Sequence, residues 1–238
     1  MLFAWLIAFA SHGAIAAEIV SASGITEPFG DVTISASVPG IIAERKFKEG
    51  DAVKLGDVII ELDKKLEELE VARRKLLMEQ KKMDADSTRV LFGNTKSVSK
   101  EELEKKETEY KIAAVEYDAA LEQLRRRLVA APIAGTVTDL FLHAGEACQP
   151  YQPLVRVVDT HHCYFVSNME AKLATKLKVD QTIQLEVETG DAPVRVEGKI
   201  IFISPVVDPG SGLVKVRATF ANLGGKVRPG LAGKLLLP

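Results

Sequence analysis

The sequence predicts a mainly β protein with inserted α structure: one small β domain split by an α-helical coiled-coil hairpin, followed by a small β-barrel. Three observations predict this. A strand, turn and strand pattern occurs twice at an offset of about 95 residues. Between the copies the apolar spacing changes to steps of three and four, the period of paired helices. Beyond the second copy, short alternating runs separated by Gly and Pro continue to the end of the chain.

Composition sets the bounds. The chain has 238 residues, is 47% hydrophobic and 27% charged, and carries 31 basic against 33 acidic side chains. That apolar share suits a folded chain rather than a disordered one. Without a basic excess, no nucleic-acid partner is expected, because phosphate neutralisation takes clustered Lys and Arg. Two cysteines allow at most one disulfide.

Met1 to Ala17 contains no Lys, Arg, Asp or Glu, and Leu2 to Ala10 is wholly apolar. The run is too short to cross a bilayer, which takes about 20 residues. Ala14-Ile15-Ala16 has the small-x-small form of a signal-peptidase site, so residues 1–17 read as a secretory signal peptide. The mature chain is then expected outside the cytoplasm. Residues 18–35 follow as an N-terminal strand segment.

Residues 36–63 and 130–159 form the split domain. Gly40 matches Gly135, Gly50 matches Gly145, and Asp51 matches Glu146. After one inserted residue, Val58-Ile59-Ile60 matches Leu154-Val155-Arg156, and Asp63 matches Asp159. Glycine at the turns permits positive φ without a Cβ clash. Neither half has enough strands to bury a core alone.

Residues 64–129 read as the hairpin. Leu62, Leu66, Leu69, Leu76, Met83 and Val90 mark the first helix; Leu103, Tyr110, Ala114, Tyr117, Leu121, Leu124 and Leu128 mark the second. Phe92-Gly93-Asn94-Thr95-Lys96-Ser97 separates them as turn formers. Ser99 with Glu102 is a capping box for the second helix, and Pro132 blocks its continuation. Residues 160–238 read as the barrel. Strands are expected at Thr182 to Glu188, Val194 to Ile203, Val214 to Phe220 and Leu231 to Leu237, with a strand beginning at Tyr164-Phe165-Val166 and a helix over Glu170 to Lys178. Turns fall at Thr189-Gly190-Asp191, Asp208-Pro209-Gly210 and Leu223-Gly224-Gly225.

In this order the parts resemble the periplasmic adaptor subunits, or membrane fusion proteins, of tripartite efflux and secretion systems (HlyD-type). The resemblance rests on KEGDAVKLGDVIIELD and VAAPIAGTVTDLFLHAGE around a hairpin, on the tip RVLFGNTKSVSKEELEKKETEY, and on the closing ISPVVDPGSGLVKVRATFANLGGKVRPGLAGKLLL. It implies that the split domain is lipoyl-like, a barrel-sandwich hybrid. It further implies an inner-membrane transporter (RND or ABC type) and a TolC-type outer-membrane channel as partners, a periplasmic location, and self-association as a hexamer. The family's Arg, Leu and Ser tip pattern falls on Arg89, Leu91 and Ser99, with Arg89 to Ser99 one residue short of the family spacing. Leu91 and Phe92 are apolar at a rod end, so Arg89, Leu91, Phe92 and Ser99 are the expected partner-binding residues. Leu213 stands where the family often has Thr. The chain stops at Pro238, so the family's membrane-proximal domain is expected to be absent.

Other chemistry is weakly signalled. Lys64 follows Asp63 where a lipoyl or biotinyl carrier bears its modified lysine, but the chain turns into a helix there; a carrier or a stand-alone scaffold with a coiled-coil arm is the alternative reading. His143, Cys148, His161, His162 and Cys163 lack the spacing of a metal site, so no metal or cofactor is expected. Cys148 and Cys163 are the one available disulfide pair. No catalytic triad order, P-loop or dinucleotide-binding glycine pattern occurs, so the chain is not expected to be an enzyme.

Overall fold

The first strand, β1 (Ser21–Ser35), carries its apolar residues on the unexpected side: Ala22 and Thr26 are buried while Ile25 is exposed. This comes from a computed structural model, which describes residues 20–190 and 192–237. The expected leader at 1–17 and Asp191 of the expected turn lie outside the described residues. The chain divides into two units, one from Pro28 to His161 and one comprising residues up to Glu27 with those from His162 onward.

Within the Pro28–His161 unit, β2 (Gly40–Arg45), β3 (Ala52–Val53) and β4 (Val58–Leu62) form the first half. Two helices intervene, α1 (Lys65–Asn94) and α2 (Lys100–Arg125). Then β5 (Leu128–Ala130), β6 (Gly135–Leu140), β7 (Ala147–Cys148) and the start of β8 (Pro153–Glu170) form the second. The halves exchange strands. Gly40 and Ile41 pair with Cys148 and Ala147, as Gly135 and Val53 pair across β6 and β3. Gly50 N–H donates to the Val137 carbonyl at 2.8 Å, and Gly145 N–H donates to the Ile42 carbonyl at 2.8 Å. Both glycines hold φ near +90°, at 92° and 91°, where a side chain would be strained.

The offset of 95 residues persists beyond the turns. Lys46 N–H donates to Ile59 O at 2.9 Å and Phe141 N–H to Leu154 O at 3.0 Å. Buried Ile59, Ile60 and Leu62 therefore correspond to buried Leu154, Val155 and Val157. The inserted residue expected from the sequence does not exist, and Asp63 corresponds to Val158. Matching Asp63 to Asp159 by identity displaced the alignment; the inward positions set the true one. These six side chains, with Ile42 and Val137, make one shared core that neither half could bury alone.

The other unit is a closed barrel. The second part of β8 leads through α3 (Ala171–Ala174) to β9 (Thr182–Val187), β10 (Val194–Ile203), β11 (Leu213–Ala221) and β12 (Ala232–Leu236). Strand order is β1-β12-β9-β10-β11-β8, and β8 returns to β1. Phe165, Leu185, Ile200 and Leu235 fill the interior. The sequence suggested four or five strands because the inward residues of β1 are small or polar. Thr26 is buried with its hydroxyl donating to Leu231 O at 3.1 Å, a pattern that apolar alternation misses. The helix after β8 spans four residues, not the nine expected. Cys148 and Cys163 are buried in separate cores and form no disulfide.

Candidate functional site

At 1.5 Å per residue, the 30 residues of α1 make a rod of about 45 Å. Its contact with α2 is not the leucine stripe that the sequence pointed to. Leu66, Leu69, Leu76, Met83 and Val90 are 78%, 56%, 68%, 64% and 58% exposed. The face turned inward is a second stripe of the same period: Val71, Arg74, Met78, Lys81, Ala85, Thr88 and Phe92, all at least half-buried. Leu62, expected in the first helix, belongs to β4, and Leu128, expected in the second, to β5. Periodicity gives a spacing and cannot say which of two equal stripes meets the partner.

Small residues and charge settle that choice. Ala85 on α1 and Ala113 and Ala120 on α2 are buried, which lets the backbones approach. Ion pairs cross the seam as rungs: Arg74 with Glu116, Lys81 with Glu109 at 2.8 Å, and Arg89 with Glu107 at 2.9 Å. Each is partly solvated and screened by water, so they fix register more than stability. On the same helix, Arg73 and Arg74 hold the Glu70 carboxyl down at about 2. At the root, Arg127 donates to Glu67 at 2.9 Å and to the Pro39 carbonyl at 2.8 Å, tying the hairpin to the β module.

The back of α2 has its own apolar residues, Ile112 and Val115, both exposed. They lie between the Arg74–Glu116 and Lys81–Glu109 rungs, as Leu76 does on α1. The hairpin thus carries apolar stripes on two opposite flanks at one height. Leu76 belongs to the stripe that marks the first helix in the sequence, whereas Ile112 and Val115 fall outside the expected stripe of the second; their spacing of three is the signal that marks them.

The tip is tighter than expected. α1 continues through Phe92, Gly93 and Asn94, so the connection is only Thr95 to Ser99. Thr95 donates its hydroxyl to Leu91 O at 2.8 Å, capping the last turn. Ser99 accepts from Glu102 N–H at 3.0 Å. Of the four tip residues, Leu91 is 45% exposed and Ser99 is exposed, while Phe92 is half-buried at the end of the seam. Arg89 is exposed but occupied: it also pairs with Asp86 at 2.8 Å, and Glu107 raises its pKa.

The remaining sequence candidates separate. Lys64 stands just before α1 with its ammonium on Glu61 at 2.8 Å, a paired group at a helix start rather than the tip of an open turn. His143 lies near Glu146 and His161 near Asp159, while the two cysteines are buried in different cores. No three His, Cys, Asp or Glu side chains among the described residues converge as a metal site would require. No described helix is long and apolar enough to cross a membrane.

Comparison with known proteins gives this architecture a context. The model of the RND MFP barrel-sandwich hybrid domain matches residues 30–160, just over half of the chain. The solvent efflux pump periplasmic linker SrpA of Pseudomonas putida is 28% identical over 233 residues, covering 90% of this chain and 59% of the relative. Multidrug resistance protein MdtE of Escherichia coli (strain K12) is 25% identical over 235 residues, covering 87% and 61%. The chain spans between about half and three fifths of the curated relatives it matches, from 52% to 61%. A MacA-MexA chimeric protein containing the Pseudomonas aeruginosa MexA α-hairpin domain superposes with a TM-score of 0.76 at 21% identity, over 91% of this chain and 79% of that one. The membrane fusion protein Spr0693 of Streptococcus pneumoniae R6 gives 0.70 at 18% identity, over 92% and 98%. At such identities the solved structures show a shared fold.

Proposed function

This chain belongs to the RND membrane fusion protein family, and from that membership we propose that it works as a periplasmic adaptor in a tripartite efflux assembly. It links an inner-membrane transporter to a TolC-type outer-membrane channel. An RND-type transporter is favoured over an ABC type by the family matched, so the broader HlyD-type kinship is the less specific part of the reading. Export through the leader at residues 1–17 belongs to the same proposal, as does the division into a lipoyl-like module at 36–63 and 130–159, a hairpin at 64–129 and a barrel at 160–238.

The observation that carries the reading is the hairpin itself: a narrow rod, anchored in the β module through Arg127, with an apolar stripe on each flank. Stripes on opposite flanks at one height suit side-by-side copies, the back of α1 meeting the back of the next α2. Such a head-to-tail contact closes into a ring when the rotation permits, and a hexamer is the ring proposed here. The rod end, with Leu91 exposed beside Arg89, Phe92 and Ser99, then meets the outer-membrane channel.

Leu91→Ser tests the tip. Leu91 is already near half exposed, so its loss should leave the melting temperature within about 2 °C while efflux in cells is lost. Arg89→Gln is the second variant; an acidic residue there would face Glu107 and Asp86 and confound stability with docking. Efflux at the wild-type level in both variants would overturn the tip assignment.

A further inference from the structure

Where the hairpin leaves the β module, the two halves of the repeat stop matching, and one side chain fills the difference. Gly135 lies against the backbone of β8: a Cβ there would stand 2.5 Å from the Val158 carbonyl oxygen. At its counterpart Gly40 the nearest atom is no backbone oxygen but Nη1 of Arg127, 2.8 Å from where a Cβ would stand. The chain has turned after Leu62 toward α1, and the guanidinium occupies the space. Gly40 does not hold a positive φ, so this glycine answers to the guanidinium and not to a turn.

From that slot Arg127 reaches three elements. Its N–H closes the end of α2 on the Leu124 carbonyl at 3.0 Å, and its own carbonyl accepts from Leu62 N–H of β4 at 2.9 Å. Nη1 donates to the Pro39 carbonyl, just before β2, at 2.8 Å. Nε and Nη2 donate to one carboxylate oxygen of Glu67, in the first turn of α1. The Arg127 and Glu67 side chains keep only 22% and 17% of their exposure, against 57% and 31% for Arg89 and Glu107, so water screens this pair far less than that rung.

The chain crosses between module and hairpin twice, from Leu62 to Lys65 and from Arg125 to Leu128. Two crossings alone define an axis about which a rod can bend. Pro39 belongs to neither, so the guanidinium supplies a third point. We propose that Arg127 is a positioning residue that fixes the angle of the hairpin on the β module, with Gly40 as its required counterpart. Lysine could not replace it, since one ammonium on a flexible stem does not fork between a carbonyl and a carboxylate. Leverage makes the angle matter: over a rod of about 45 Å, a bend of about 10° carries the end about 8 Å, enough to part side chains that would otherwise touch. Resting on the adaptor reading, Arg127 thereby decides whether the tip meets its partner, without touching that partner itself.

The test measures distances by pulsed electron spin resonance between nitroxide side chains at Lys48 in the module and Lys105 on α2, both exposed, in the full chain. The wild-type chain should give one narrow distribution. Arg127→Gln, Arg127→Lys and Gly40→Ala should each broaden it at least about twofold. Gly40→Ala leaves Arg127 in the chain and only displaces its guanidinium, so it carries the comparison if Arg127→Gln does not fold. Melting should stay within about 4 °C of wild type, while efflux in cells is lost. Unchanged widths overturn the assignment, and a wild-type width in Arg127→Lys overturns the role of the fork. A fall in melting that matches the broadening makes Arg127 merely structural, and broadening with efflux intact breaks the link to transport. The distances are read on purified protein, so they judge the joint by themselves; a wild-type chain that restores no efflux overturns the adaptor reading instead.

Discussion

Replacing Leu76 and Met83 by Glu asks whether the outer stripe of α1 is an interface. Leu76 is 68% and Met83 64% exposed, so about two thirds of each side chain remains to be buried by a neighbour. Full burial of such a side chain stabilises by roughly 1.5–3 kcal/mol, which leaves about 1–2 kcal/mol each and about 2–4 kcal/mol for the pair. At 1.4 kcal/mol per factor of ten, self-association should weaken roughly 30- to 700-fold. The isolated protomer should hardly notice, because neither side chain contributes to its core. Met78→Ser, on the inner stripe, should do the reverse: helical melting falls while the outer stripe is intact. Sedimentation equilibrium and circular dichroism measure the two quantities separately. If the Leu76/Met83 double variant melts as low as Met78→Ser with association unchanged, the outer stripe packs within the protomer and the reasoning is refuted.

Three further outcomes are expected. Glu70 is held at about 2, so its pairing with Arg73 and Arg74 contributes fully above the ordinary carboxylate value and is lost as pH falls toward about 2; Glu70→Gln should flatten the decline in helical ellipticity between about pH 4 and pH 2, and less so at high salt. Gly135→Ala would put a Cβ 2.5 Å from the Val158 carbonyl oxygen, backbone that cannot give way; it should cost about 1–3 kcal/mol and lower melting by several degrees, seen by calorimetry. Excising Leu66 to Arg126 and closing the gap with a short Gly-Ser turn should leave the β module folded, with helical ellipticity lost and a cooperative melt retained; retaining Leu128 matters because it pairs with Glu61.

Strands that alternate in the usual sense were legible. β10 runs over Val194–Ile203, the span its sequence implied, and the Ser99 cap followed from spacing alone. β1 was harder, since a barrel strand with Ala22 and Thr26 inward and Ile25 outward reverses the apolar signal. The 95-residue repeat was visible at the glycines, but its continuation needed inward-facing positions, which identity at Asp63 and Asp159 obscured. On α1 two stripes share one period, so the choice between Leu76 and Met78 lay in the partner helix, in Ala113, Ala120 and the charges opposite Arg74 and Lys81.

Photo-cross-linking from position 91 is the most direct test of the central proposal, that this chain is an adaptor whose hairpin end meets an outer-membrane channel. With a photo-reactive phenylalanine analogue in place of Leu91, cells carrying the complete assembly should yield a covalent adduct containing the channel protein. The same analogue at Lys111, an exposed mid-hairpin site, should yield none with the channel. Equal capture of the channel from both positions, or no capture from position 91 in cells with active efflux, would contradict the account.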